Sequence, residues 1–225
     1  MTIPVITIDG PSGSGKGTIG QMLARHLTWH YLDSGALYRV LTLQALKAHV
    51  DLHDEQHLAA MALHLPVRFV DDTTHHRIFL HHNDVTEAIR SEEVSRATSI
   101  LAASPLIRTN LLARQRALAL APGLVTDGRD MGTVVFPHAT YKFFFIASAS
   151  ERAERRYKQL QDSGVAANYD AILIELEARD LRDQTRAVAP LIPAFDADIL
   201  DTSGMSIDAV FHYVLAKINP KATIL

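Results

Sequence analysis

A glycine-rich stretch near the start of the chain has the residue types that hold phosphate groups. It reads Gly10-Pro11-Ser12-Gly13-Ser14-Gly15-Lys16-Gly17-Thr18. Glycines let the backbone approach an anion closely, and the ammonium of Lys16 is placed to reach the β- and γ-phosphates of a triphosphate. The stretch matches G-x-x-x-x-G-K, although Gly17 takes the usual Ser/Thr position and the hydroxyl follows at Thr18. We interpret all nine residues as a nucleotide-binding loop.

The position of this loop in the chain distinguishes it from a merely flexible Gly/Ser segment, which is the alternative interpretation. The β-branched run Val5–Ile8 precedes it and predicts a strand. The residues after it predict a helix, because the following side chains fall on one face: Ile19, Met22, Leu23, His26 and Leu27. At a strand-to-helix junction the inward-pointing N–H groups and the helix dipole both favour a bound anion.

Two further clusters of polar residues follow predicted strands. Asp33 and Ser34 come after Trp29–Leu32 and begin a predicted helix that carries Arg39. The second cluster follows the apolar run Leu124–Thr126 and reads Asp127-Gly128-Arg129-Asp130-Met131-Gly132. Open α/β sheets bind ligands at the carboxyl ends of their strands, so we expect both clusters near the loop. For Arg39 a solvated position on the helix surface is the alternative.

Arginines from distant parts of the chain suggest that two anionic ligands meet here. They are Arg39, Arg108, Arg129, Arg152, Arg156, Arg179 and Arg186. Arg152 and Arg156 share a helix face at i, i+4, where they could clamp phosphates or pair with Glu151 and Glu154 on an exposed helix. A phosphate acceptor is already ionised near neutral pH, since its second pKa is about 6, and needs no general base. We expect Mg²⁺, with Thr18 as the direct ligand and Asp33 or Asp127 acting directly or through water.

Composition narrows the class of protein. The chain has 225 residues, a formal net charge of −3 and no cysteine, so disulfides, thiol nucleophiles and thiolate metal sites are excluded. The charge gives no general attraction to nucleic acid or to a membrane surface. Nothing resembles a signal peptide or an apolar membrane span. We expect a cytoplasmic monomer with small-molecule ligands.

Strands and helices alternate along the chain, which predicts an α/β fold with a parallel sheet covered on both faces. We expect one domain, with its core in residues 1–65, 93–150 and 167–225 and two small additions. One addition is a β-rich insertion at about 66–92, with a hairpin that turns at Asp71–Thr74, and we expect the insertion to contact a substrate or to move over it. The other is a helical lid at about 151–166. We interpret the pairs His75-His76 and His81-His82 as hairpin residues rather than metal ligands.

Taken together, four motifs resemble those of the bacterial cytidylate kinases, within the nucleoside monophosphate kinase family. They are Gly10–Thr18, Asp33-Ser34-Gly35-Ala36-Leu37-Tyr38-Arg39, the stretch Asp127–Pro137, and Arg179-Asp180-x-x-Asp183-x-x-Arg186. The first motif is shared by many nucleoside monophosphate kinases, and the other three are more specific. The resemblance covers nearly the whole chain. It implies a parallel-sheet P-loop kinase core with a nucleotide-binding insertion and a lid, and transfer of the ATP γ-phosphoryl group to CMP or dCMP.

The resemblance also implies roles for individual residues. Arg39 and Arg129 would hold the acceptor phosphate, with Ser34 and Tyr38 beside them. The remaining acceptor residues would read the base (Ser99, Arg108, Asp130, Arg186) and face the sugar (Arg179, Asp183). Catalysis would involve Lys16 and Arg129, together with Arg152 and Arg156 on a lid that closes over ATP. The chemistry fits cytosine, whose N4 amino group donates to a carboxylate and whose O2 and N3 accept from arginines.

Two alternatives remain open from the sequence. The chain could phosphorylate another small acceptor, such as a different nucleotide, or it could be a nucleotide-driven switch or binding module. A switch needs loops that respond to the γ-phosphate, and we find no such motif. Activity across several nucleoside monophosphates separates the first alternative from CMP phosphorylation, whereas hydrolysis without an acceptor would favour the second.

Overall fold

The computed structural model describes residues 3–71 and 76–218. The strands in this part of the chain are β1 (Val5–Asp9), β2 (His30–Asp33), β3 (Val67–Asp71), β4 (His76–Leu80), β5 (Asn83–Asp84), β6 (Leu124–Gly128), β7 (Tyr141–Ile146) and β8 (Asp198–Asp201). The helices are α1 (Lys16–Leu27), α2 (Ser34–Lys47), α3 (Glu55–Leu63), α4 (Glu92–Leu101), α5 (Pro105–Ala117), α6 (Ala149–Asp162), α7 (Tyr169–Thr185) and α8 (Ile207–Ile218). A 3₁₀ turn spans Ala88–Arg90, and a π-helical turn spans Met131–Val135.

Five strands form one parallel sheet in the order β2-β6-β1-β7-β8. This confirms the prediction of a parallel sheet. The register aligns Asp9 with Gly128 and Asp33 with Asp127 at the carboxyl edge. Because parallel strands end at a common edge, the segments after β1, β2 and β6 come together there, although they lie far apart in the sequence.

Helices cover both faces of this sheet, as its side-chain alternation requires. Ile6, Ile8 and Phe145 point to one face and pack with buried residues of α1 and α8. Val5 and Leu124 point to the other face and pack with buried residues of α2 to α5. Successive side chains of a strand alternate between faces, so a central strand is covered on both sides, and β1 and β6 are buried at every position.

The insertion forms a three-stranded antiparallel sheet in the order β3-β4-β5, with Val67 opposite Leu80. Ile78 and Leu80 are buried in the same cluster as α2 to α5, so this small sheet packs onto the body of the protein. Most of the predicted hairpin turn, and His75, lie outside the described residues. Within the insertion, the described residues of 66–89 do not line the large cleft at the carboxyl edge of the parallel sheet, whereas Arg90–Glu92 do.

Local sequence signals set most of the helix boundaries. Helices α4 and α5 are separate, because Ser104 accepts from the Ile107 N–H and Pro105 takes the first helical position of α5. Asp33 caps α2 by accepting from the Ala36 N–H at 3.1 Å. No periodic pattern of apolar residues in the sequence predicts the π-helical turn at Met131–Val135. No helix of the described residues is long and apolar enough to cross a bilayer.

The centre of the sheet gives a direct test of this core. Phe145 in β7 is fully buried, whereas Phe195 before β8 is fully exposed. We expect Phe145→Ala to lower the free energy of unfolding by about 3–5 kcal/mol, because the substitution removes a large apolar side chain and leaves a cavity. Urea denaturation followed by circular dichroism measures the change. The matched variant Phe195→Ala should stay within about 0.5 kcal/mol of the parent; equal losses from both variants would contradict the position of Phe145.

Candidate active site

The glycine-rich loop joins β1 to α1 and packs closely against the neighbouring strand. A side chain at Gly10, whose φ is 152°, would come within 2.4 Å of the Phe145 carbonyl oxygen. Glycine is therefore required there, because only it combines this backbone angle with so close an approach. Lys16 begins α1, and its ammonium donates to the carbonyl of Pro11 at 2.9 Å, which draws the side chain over the loop.

One cleft of about 1750 Å³ opens above the carboxyl edge of the sheet. Pockets for one small molecule are usually about 300–1000 Å³, so this cleft has room for two nucleotides. Every residue that the sequence predicted for a site lines it, apart from Gly10 and Pro11. At one end are Ser12–Thr18, Arg152 and Arg156, and from elsewhere in the chain come Asp33, Ser34, Tyr38, Arg39, Ser99, Arg108, Asp127, Arg129, Asp130, Arg179, Asp183 and Arg186.

Positive charge is concentrated around Lys16. Burial lowers the pKa of Lys16 to about 7, and the guanidinium groups of Arg129 and Arg179 contribute to the decrease. Arg179 is similarly affected, since burial together with Arg129 and Arg39 lowers its pKa to about 10. Its Nε has no hydrogen-bond partner among the described residues. Cations brought this close to one another favour a bound anion, which restores their charged forms.

A pair of carboxylates lies next to this positive region. Asp33 and Asp127 occupy opposite positions on β2 and β6. Asp33 accepts from Arg39 at 3.2 Å, and Asp127 accepts from the hydroxyl of Tyr31 at 2.5 Å. Burial, followed by the like charge of Asp33, raises the pKa of Asp127 to about 6. With the exposed Thr18 hydroxyl on α1, these oxygens form a donor set of the kind that a hard divalent cation prefers.

Buried ion pairs hold the arginines on the far side of the cleft. Arg108 pairs with Asp130, donates to the Ala102 carbonyl at 3.1 Å, and stacks over the Tyr38 ring with 5.6 Å to its centroid. Arg129 donates to Asp183 at 2.6 Å. Most of these groups are less than one-tenth exposed, so each charge needs the other to offset its desolvation. All four residues line the cleft, so each ion pair fixes the direction of its arginine there.

Three other predicted residues lie along the same wall. Ser34 is buried and donates to the Asp127 carbonyl at 2.7 Å. Ser99 on α4 is half-buried and donates to the Arg96 carbonyl at 3.0 Å. Arg186 directly follows α7, and its Nε donates to the Ala189 carbonyl at 2.6 Å.

The two arginines predicted for a lid differ in their surroundings. Arg152 is buried and donates to the carbonyls of Ser12 and Ala147, each at 3.0 Å, and it pairs with Asp180 of α7. Arg156 is exposed, one turn further along α6, and donates to Gln159 at 2.9 Å. The structure therefore places Arg152 against the phosphate loop and leaves Arg156 at the mouth of the cleft.

Some polar residues of the site escaped sequence reasoning. Tyr31 read only as part of a strand, yet its hydroxyl bonds to Asp127 from 96 residues away. Asp180 lies in a recognised motif without a role, and the structure pairs it with Arg152. Arg155 donates to the Thr202 carbonyl at 2.6 Å and so ties α6 to the loop after β8. The motif position of Asp180 was a usable signal; Tyr31 and Arg155 offered none.

The lowered pKa of Lys16 predicts proton uptake when a nucleoside triphosphate binds. At about pH 8 the free lysine is mostly neutral, because this pH lies above its pKa of about 7. Phosphates beside it favour the ammonium form, so binding should take up close to one proton per site. Titration calorimetry in buffers of different ionisation enthalpy measures this number. The uptake should decrease as the pH is lowered to about 6, where the free lysine is already charged; no uptake at pH 8 would contradict the lowered pKa.

Comparison with known proteins identifies the family. A sequence profile described as cytidylate kinase matches residues 6–220. A cytidylate kinase from Shewanella denitrificans is 55% identical to this chain over 218 residues, which is 96% of each protein. A cytidylate kinase from Shewanella baltica is 54% identical over 220 residues, which is 97% of this chain and 96% of the relative.

Solved structures agree on the fold. An uncharacterized protein from Eubacterium ventriosum superposes with a TM-score of 0.55 at 12% identity, covering 98% of this chain and all of the other. A gluconokinase from Sinorhizobium meliloti superposes with a TM-score of 0.50 at 16% identity, covering 96% of this chain and 92% of the kinase. Since the profile spans nearly the whole chain and relatives above half identity cover almost all of it, the protein belongs to the cytidylate kinase family.

Proposed function

We propose that this protein transfers the γ-phosphoryl group of ATP to CMP or dCMP, giving ADP and CDP or dCDP. The observation that carries the proposal is one large cleft, which has the glycine loop with Lys16 at one end and a buried acid–arginine cluster at the other. Membership of the cytidylate kinase family supports the same reaction. Phosphoryl transfer depends on positioning and charge neutralisation, which is what this arrangement can supply.

ATP would bind with its phosphates on the glycine loop. The N–H groups at the start of α1 and the ammonium of Lys16 would hold the β- and γ-phosphates. Arg152 already donates to the Ser12 carbonyl, so it holds the backbone of the loop in place. Arg156 is exposed at the mouth of the cleft and would reach the phosphates when residues 151–166 close over ATP and exclude water.

Magnesium would bind beside the loop through oxygen ligands. Thr18 would coordinate it directly, and Asp33 and Asp127 would act directly or through water, as the hard oxygen donors of this pair allow. The raised pKa of Asp127 supports this assignment, because a nearby cation would favour its ionised form. When bound, the ion would neutralise negative charge on the phosphates.

The acceptor would present its phosphate to Lys16 from the opposite side. Arg39 and Arg129 would hold that phosphate, with Ser34 and Tyr38 beside them, and Arg179 and Asp183 would face the sugar. Asp183 fixes the guanidinium of Arg129 at 2.6 Å and so sets its direction before the acceptor arrives. The acceptor oxygen is ionised near neutral pH, with a second pKa of about 6, so the chain needs only to align the two ligands.

The cytosine ring would be read by Asp130, Arg108, Arg186 and Ser99. Asp130 would accept from the N4 amino group, and the arginines would donate to O2 and N3. Uracil carries a carbonyl at its 4-position, which would face the buried carboxylate of Asp130 without a hydrogen. A site built on such a bond discriminates strongly against the ligand that cannot form it.

A substrate panel tests the proposed function. We expect rapid ATP-dependent phosphorylation of CMP and dCMP and much lower kcat/KM with UMP and AMP, measured by coupling ADP formation to NADH oxidation. The control is ATP with magnesium and no acceptor, which should give little hydrolysis because water is excluded from the closed site. Faster turnover with UMP or AMP than with CMP would contradict the proposal, as would hydrolysis that ignores the acceptor.

Asp130→Asn tests the base-reading residue. The amide can place an N–H where the carboxylate accepted one, so the preference for CMP over UMP in kcat/KM should fall by roughly tenfold or more. The KM for ATP should stay close to that of the parent. Asp51→Asn, in the loop between α2 and α3, provides a matched control whose selectivity should not change. An Asp130→Asn enzyme that remains as selective as the parent would show that another group reads the base.

A further inference from the structure

We infer that Asp9 is a positioning residue that holds the acceptor-binding loop against the phosphate-binding loop. Neither the motifs nor the proposed mechanism gives this residue a task. It is the last residue of β1, directly before Gly10, and is only 3% exposed. The inference rests on the proposed function, since it assigns Asp9 an effect on acceptor binding.

The geometry at Asp9 is specific. One carboxylate oxygen accepts from the Met131 N–H at 2.9 Å, and the other accepts from the Gly132 N–H at 2.8 Å. These two donors directly follow Arg129 and Asp130, which face the cleft. A carboxylate that accepts two successive N–H groups with separate oxygens fixes the path of that backbone, and with it the direction of both preceding side chains.

The absence of a side chain at Gly132 makes room for this contact. A Cβ at this position would lie 3.0 Å from the Thr7 hydroxyl and 3.4 Å from a carboxylate oxygen of Asp9. A Cβ here would therefore push against the side chains of β1, and its absence lets the π-helical turn lie close to Asp9. Thr7 and Asp9 lie on the same face of β1, two residues apart, but the Thr7 hydroxyl has no partner among the described residues.

Asp9 thus connects the two halves of the site. Its backbone leads straight into the loop that would hold ATP, and its side chain holds the loop that would hold CMP. Burial raises the pKa of Asp9 to about 7, whereas the two N–H groups and Lys16 act in the opposite direction. Asp9 needs its carboxylate form to accept from both N–H groups. In the protonated form, the O–H hydrogen of one oxygen would point toward a backbone N–H, and both groups are hydrogen-bond donors.

The first variant is Asp9→Asn, assayed at about pH 8 so that the parent carboxyl is ionised. The amide keeps the shape of the side chain but offers one oxygen acceptor, so one of the two N–H bonds is lost. We expect the KM for CMP to rise by about tenfold and the preference over UMP to decrease, while the KM for ATP stays within about twofold. Calorimetric binding of CMP in the absence of ATP should weaken by a similar factor.

Thr7→Val is the matched control on the same face of the strand. It removes a hydroxyl that also neighbours Gly132, keeps the side-chain shape, and holds no hydrogen bond to the loop among the described residues. Its KM for CMP should equal that of the parent. Gly132→Ala changes the same contact from the loop side, because the added Cβ would press on Asp9. This variant should raise the KM for CMP and leave the KM for ATP unchanged, and it tests the inference if Asp9→Asn does not fold.

The kinetic pattern separates a positioning role from a merely structural one. Partial unfolding would lower the apparent kcat of the reaction and leave the KM values for ATP and CMP unchanged, and this outcome would overturn the inference. An equal rise in the two KM values would also overturn it, because the substitution would then disturb both loops rather than the acceptor-binding loop. The parent enzyme is assayed first, and if it does not phosphorylate CMP, the proposed function fails. If the parent is active but the KM for CMP is unaltered in both Asp9→Asn and Gly132→Ala, only the role of Asp9 is refuted.

Discussion

Mutual repulsion among buried cations is the constraint that shapes this site. Burial lowers the pKa of Lys16 and of Arg179, and the neighbouring guanidinium groups, Arg129 among them, lower both further. Such a cluster is unfavourable unless negative charge is supplied to it. The fold supplies part of that charge with carboxylates, and nucleotide phosphates would supply the rest.

Helix α7 distributes this negative charge between the two ends of the cleft. Asp180 pairs with Arg152, which donates to the backbone of the phosphate loop, and Asp183 bonds to Arg129 on the acceptor side. The two carboxylates lie three residues apart on one helix, so they share a face. One rigid element therefore sets the spacing between the arginines that would serve ATP and those that would serve CMP.

The parallel sheet reduces the conformational entropy that these contacts cost. Adjacent strands end in register, so the segments after β1, β2 and β6 meet without long connections. Hydrogen bonds across this edge, such as Tyr31 to Asp127 and Asp9 to the Met131–Gly132 backbone, join segments that are 96 and more than 120 residues apart. Because strands and helices fix the backbone beforehand, few side chains need to be ordered when ligands bind.

The sequence by itself determined the parallel sheet, the glycine loop between β1 and α1, and many of the residues that line the cleft. These features are local: they follow from spacing along the chain, from capping residues, and from motifs of contiguous residues. Only the tertiary structure decided the partners of those residues. The burial of Arg152 beneath the loop, the Tyr31–Asp127 bond and the π-helical turn over Asp9 all join distant segments. No spacing rule reports such pairings, because a side chain's partner depends on how the elements pack rather than on its neighbours in the sequence.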